Sequence, residues 1–259
     1  MIIDADVHIS PVRTGGNSIY IEELLCMMDK AGVQKALTWL QPPYSRDIMT
    51  SNAYVFKAMK AYPDRILGFG WADPNLGVDH AKEMVRRSIY EYGFYGVKLN
   101  GAQNEFYIDS LEAMLVAEEV AKTGKMLAYH IGGDSPEHTH PFRLAKVARA
   151  FPDTKIFMVH MGGAHFHDFG NAAIEFALQC PNITVIGSTI RSIPLLKAIK
   201  TLGAERVCFG SDAPFELMHV EVAKYHALLK DEVTQEEKDC IMGGNVARLF
   251  GLVAQKAII

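Results

Sequence analysis

Several things are scarce in this chain of 259 residues, and each scarcity removes a class of protein. The four cysteines, Cys26, Cys180, Cys208 and Cys240, show no CxxC spacing. They read as reduced packing residues of a cytoplasmic protein, not as zinc ligands or a disulfide framework. No run of about 18 apolar residues occurs, and no charged start leads into a long apolar stretch. Neither a membrane span nor a signal peptide is therefore expected. A formal net charge of −4 leaves no basic surface for nucleic acid. No GxGxxG or GxxxxGK(S/T) follows an apolar run, so dinucleotide and P-loop phosphate sites lack their fingerprint. Low-complexity tracts, linkers and shifts of composition are missing too, and a single domain over 1–259 is expected.

What is present is an ordinary globular composition, 49% hydrophobic and 22% charged, with length enough for a large core. Apolar strand-like runs at 1–7, 33–40, 66–71, 93–99, 126–130, 155–160, 183–186 and 206–209 alternate with segments of helical spacing. The helices are predicted over 20–31, 51–61, 78–92, 111–122, 142–150, 171–179, 193–202, 217–230 and 235–250. Strict alternation predicts a parallel α/β fold. Eight strand–helix units in about 250 residues fit a closed (β/α)8 TIM barrel better than an open sheet.

Four of these runs end in side chains that a buried strand end does not ordinarily carry. VCFGSDAPF at 207–215 delivers Asp212, KMLAYH at 125–130 delivers His130, and KIFMVH at 155–160 delivers His160. MIIDADVH at 1–8 holds Asp6 and His8 two apart, which places both side chains on one side of the first strand. A carboxylate there is costly to desolvate unless a cation or hydrogen bonds meet it. In a parallel barrel the C-terminal strand ends converge on one face, so these nitrogen and oxygen donors come within reach of one divalent ion.

The order of these motifs resembles the amidohydrolase superfamily, and within it the branch containing the aminocarboxymuconate-semialdehyde-decarboxylase-like enzymes. The likeness spans nearly the whole chain: IIDADVH at 2–8, YPDRILGF at 62–69, GVKL at 96–99, the two histidine strands, GSD at 210–212 and GGNVARLFGL at 243–252. It implies Asp6, His8, His130 and Asp212 as metal ligands, and His160 as either a further ligand or a group acting on the substrate. The first-strand motif of the superfamily is His-x-His, and here Asp6 takes its first position. An oxygen donor there shifts preference toward a harder metal. The expected cofactor is one divalent ion, zinc first and manganese second.

The resemblance implies a metal-dependent hydrolase of a C–O or C–N bond in a small anionic lactone, ester or amide, with metal-activated water as nucleophile and Asp212 taking its proton. The alternative is nonoxidative decarboxylation of a small carboxylic acid on the same site, with His160 giving a proton to carbon. A barrel that binds without catalysis is the third reading. Lys98 ends the fourth predicted strand, where it would bind a substrate anion, bridge two metals in carboxylated form, or reach solvent at the rim. Arg191 would hold a substrate carboxylate or form a surface salt bridge, and Arg13 is a weaker candidate. His138, His140, His165 and His167 fall in loops near the predicted mouth. A small-molecule substrate and, from family habit, a homodimer complete the expectation.

Overall fold

A computed structural model of the protein describes residues 1–13, 17–41, 47–163 and 167–252. The strands are β1 (Ile3–Ile9), β2 (Lys35–Leu40), β3 (Ile66–Gly68), β4 (Gly70–Ala72), β5 (Gly96–Leu99), β6 (Met126–His130), β7 (Ile156–Val159), β8 (Ile183–Ile186) and β9 (Val207–Cys208). All pairings are parallel, β1–β2–β3 in one run and β4 through β9 in sequence order in the other. The predicted third strand is interrupted: β3 and β4 are its two halves, separated by Phe69. The Phe69 N–H still reaches the Thr38 carbonyl at 3.0 Å, so the chain keeps its place beside β2.

The last strand meets the first. Ala5 N–H donates to the Phe209 carbonyl at 3.0 Å, Asp212 N–H to Asp6 at 2.9 Å, and His8 N–H to Ala213 at 2.8 Å. Val7 lies beside Ala213 in parallel register. These bonds supply the seam that a (β/α)8 barrel requires, and the chain has that fold.

Inside the barrel, Ile3, Ala5, Leu37, Trp39, Leu67, Phe69, Ala128, Phe157, Val159, Ile186 and Cys208 pack together. The intervening strand residues face the helices in a second, larger core. This division follows from the two-residue period of a strand buried on both faces. The helices sit as predicted, with differences in detail. The segment Cys240–Gly244 interrupts the predicted closing helix, and short helices at Gly101–Asn104 and Pro136–Thr139 occupy predicted loops. No helix among the described residues is long and apolar enough to cross a membrane. All four cysteines are free thiols, Cys208 wholly buried.

Candidate active site and metal centre

The site begins with an irregularity in β1. Ile3 and Ala5 belong to the barrel interior, whereas Val7 and Ile9 belong to the helix-facing core. Residues of equal parity have thus changed faces, and the register against β2 shifts between Asp4 and Val7. A bulge of this kind re-aims side chains. It is what turns Asp6 and His8 inward; unbroken alternation from Ala5 would have sent both toward the helices.

The other donors arrive by backbone turns. His160 follows inward-facing Val159 and adopts φ 67°, Thr189 follows Ser188 with φ 56°, and Asp212 has φ 61°. Left-handed backbone is unusual for residues with a Cβ, and strained residues of this kind cluster where a side chain must be held at one angle. Here all three sit just beyond strand ends, on the same face of the barrel.

The resulting cluster is compact. One ligand atom each from Asp6, His160 and Asp212 lies within 4.8 Å of the others. His8 Nε2 is 3.5 Å from Asp6 Oδ1 and 3.4 Å from Asp212 Oδ1. His8 Nδ1–H donates to the Leu40 carbonyl at 2.8 Å, while the Trp39 indole N–H, 3.1 Å away, donates to Nε2. A carbonyl only accepts and an indole N–H only donates, so His8 is the neutral ring with its lone pair on Nε2. Burial and Lys98 pull its pKa down while Asp212 and Asp6 raise it, with a net upward direction. The neutral ring nonetheless satisfies both hydrogen-bond partners, the Leu40 carbonyl and the Trp39 N–H, because the indole has no lone pair for a proton on Nε2.

Beneath the cluster lies Lys98, wholly buried, its Nζ 3.9 Å from Asp6 Oδ1 and 3.8 Å from the centre of the Trp39 ring. A solvent-facing rim lysine is thus not what the structure holds. Burial lowers the Lys98 pKa. Burial alone would raise that of Asp6, but Lys98, His160 and His8 together hold this carboxyl well below the usual range. Burial also draws His160 down to about 4, leaving a neutral imidazole near pH 7.

Above the cluster a cavity of about 280 Å³ is lined by His130, Gly132, Gly133, Asp134, His160, Gly163, Thr189, Asp212 and Glu216. His130 ends β6 as expected, 4.6 Å from His160 between ring centres, but its Nε2 bonds Asp134 Oδ1 at 2.8 Å. That bond, working against burial, lowers the Asp134 pKa to about 2. Arg191 is exposed in a neighbouring hollow that shares Thr189 and Glu216 with the cavity. Arg13 is spent on Glu23 at 2.6 Å. His138 bonds Ser135, and His140 accepts the Phe142 N–H as a helix cap, so both have local roles. His165 lies outside the described residues, and His167 opens the helix His167–Gln179.

Ser188, Asp4, Asp134 and Glu216 escaped the sequence reading. A lone serine, or an acid in a polar loop, carries no spacing signal. Asp4 alone had one, as a carboxylate inside an apolar strand.

The donor set fits a divalent metal. Asp6 Oδ1 is buried and has no hydrogen-bond donor among the described residues, an arrangement that a cation would relieve. Two carboxylates with neutral imidazoles are ligands that manganese, iron and zinc accept.

The amidohydrolase family model matches residues 3–252. The 2-amino-3-carboxymuconate-6-semialdehyde decarboxylase of Dictyostelium discoideum is 22% identical over 254 residues, covering 84% of this chain and 70% of that protein. Among solved structures, 2,6-dihydroxybenzoate decarboxylase from Rhizobium superposes with TM-score 0.78 at 19% identity, over 98% of this chain and 99% of the other. Dihydroxybenzoic acid decarboxylase from Polaromonas sp. JS666, with bound manganese and the inhibitor 2-nitroresorcinol, gives TM-score 0.74 at 19% identity over 97% of each chain.

Proposed function

The chain belongs to the amidohydrolase family, and from that membership we propose that it is a metal-dependent nonoxidative decarboxylase of a small aromatic or conjugated carboxylic acid. The observation that carries this reading is the convergence of Asp6, His160 and Asp212 at the cavity floor, in a chain similar to decarboxylases along most of its length. Hydrolysis of a C–O or C–N bond, the leading expectation from the sequence, becomes the weaker reading, because the relatives named above all remove carboxyl groups.

Asp6, Asp212 and His160 would hold the ion, with His8 and His130 as the next nitrogen donors. Manganese moves ahead of zinc, since two of the three donors that converge most closely, Asp6 and Asp212, are carboxylates and the Polaromonas relative carries manganese. When bound, the ion would supply Lewis acidity, stabilising negative charge on the substrate's oxygens.

Loss of CO2 requires a proton on the carbon that bears the carboxylate. The C–C bond then breaks and its electron pair returns to the conjugated system. We assign delivery of that proton to Asp212, which lines the cavity with its angle fixed by the turn after β9. Its carboxylate would first take the proton from a substrate hydroxyl or from solvent in the cavity and then pass it to carbon. His160, neutral near pH 7, is the wrong form to act as an acid toward carbon, and instead orients the substrate or its ion. Asp134 and Glu216 line the same cavity as acceptors for substrate hydroxyl or amino groups.

The test is assay of chelator-stripped protein before and after reconstitution with manganese or zinc. Hydroxybenzoates and conjugated acids should release CO2 only in the reconstituted protein. In D2O the product should carry deuterium at the former carboxyl carbon. Turnover of lactones or esters, with none of any acid, would overturn the reading.

A further inference from the structure

Ser188, which follows β8, is wholly buried between two members of the cluster. Its Oγ lies 2.5 Å from Asp6 Oδ2 and 2.9 Å from His160 Nδ1. A hydroxyl has one proton to give. The carboxylate, facing the Lys98 ammonium through its other oxygen, can only accept, so the Ser188 proton goes to Asp6. The bond to His160 must then run the other way, with Nδ1–H donating to Ser188 Oγ.

We propose that Ser188 is a positioning residue: by relaying hydrogen bonds between Asp6 and His160 it fixes the His160 tautomer with the proton on Nδ1, so that Nε2 presents a lone pair to the bound ion or substrate. Outer partners of this kind set ligand orientation and basicity, and their loss typically costs 10–100-fold in metal affinity. The inference rests on the proposed site but not on the reaction it performs. Thr189 Oγ1, partly buried and 3.3 Å from the same nitrogen, and Asp6 Oδ2 itself, 3.6 Å away, are the competing partners.

Two measurements on the full-length protein test this. In chelator-treated, ¹⁵N-histidine-labelled protein, imidazole ¹⁵N correlation spectra report the tautomer, with the His160 signals assigned by their loss in His160→Asn. The wild type should show Nδ1–H, and Ser188→Ala should lose that preference while Thr189→Val keeps it. Manganese titration should show affinity at least tenfold weaker in Ser188→Ala and little changed in Ser188→Thr, which retains the hydroxyl. A wild-type ring carrying its proton on Nε2 would overturn the proposal, even if Ser188→Ala fails to fold. An unchanged tautomer and affinity in a folded Ser188→Ala would overturn it equally, as would a tautomer that answers to Thr189→Val instead. None of these readouts depends on CO2 release, so failure of the decarboxylase reading and failure of this inference are separable.

Discussion

Asp4 shows how much the surroundings of a single carboxyl decide. It is wholly buried, its Oδ1 accepts the Asp6 and Ser211 N–H groups, and burial raises its pKa from 3.8 to about 7. Between those values the folded protein holds a proton that the unfolded chain has released, so stability falls as pH rises from about 4 to 7 and is level above. The effect is on the order of 4 kcal/mol. Urea titrations of the metal-free protein should show Asp4→Asn gaining on the wild type across that window; a constant difference from pH 4 to 8 would place the proton elsewhere. His160 titrates with the opposite slope, which is why the comparison must be made against the variant. At Asp212 the expected effect is catalytic. Asp212→Asn should lower kcat by about two to four orders of magnitude, the scale of a lost acid–base group, with a smaller loss of manganese. Near-normal turnover in a metal-loaded variant would remove Asp212 from proton delivery. Asp6, His160 and Asp212 could be singled out in the sequence because their chemistry is foreign to a buried strand or its end. Ser188 was not, since nothing in a serine's neighbours along the chain says that two distant side chains share its hydroxyl.

At the scale of the element, the site depends on departures from regular strand geometry. The rule of two correctly joined Asp6 to His8, but taken from Ala5 it would have sent both out of the barrel. The bulge between Asp4 and Val7 is a tertiary event, fixed by pairing with β2 and the seam to Asp212 and Ala213, and no local pattern announces it. The break at Phe69 was hidden for a similar reason: flanking Gly68 and Gly70 leave room for Phe94 and Ser88, contacts made by chain some 20 residues away. Gly210 is the sharpest test of this crowding. A Cβ there would lie 2.6 Å from Ile186 Cγ2, 3.0 Å from Asp6 Cβ and 3.3 Å from Ser188 Cβ. Gly210→Ala must therefore push on the segments that carry Asp6 and Ser188, two members of the relay. Overpacking of this kind costs about 1–3 kcal/mol. Manganese affinity should fall as well, by at least tenfold, on the scale of a lost outer partner. Unaltered binding in this variant would mean that the donors tolerate movement of their strands.

Across the whole molecule the two ends of the barrel have separate tasks. Donors, cavity and left-handed turns gather at the C-terminal ends of the strands, where barrels carry chemistry. The opposite end is closed by the chain's last described segment: Phe250 stacks on Tyr95 at 4.4 Å between ring centres and reaches Phe69 at 6.4 Å and Phe157 at 6.1 Å. Alternation of strands and helices made the barrel itself legible, but helical spacing over 235–250 could not say that the final turn plugs the bore. This division predicts opposite phenotypes. Phe250→Ala removes a half-buried aromatic plug, and at about 2–3 kcal/mol, discounted from the 3–5 of a fully buried ring, it should lower Tm by several degrees. Because Lys98, Trp39 and the interior layer between them stay packed, manganese affinity and kcat/KM below the transition should match the wild type. Asp212→Asn should do the reverse, keeping Tm in the metal-free protein and losing turnover. Calorimetry paired with manganese titration decides the matter: if Phe250→Ala weakens the metal site as strongly as it lowers Tm, the barrel transmits strain along its whole length and its two ends are not independent.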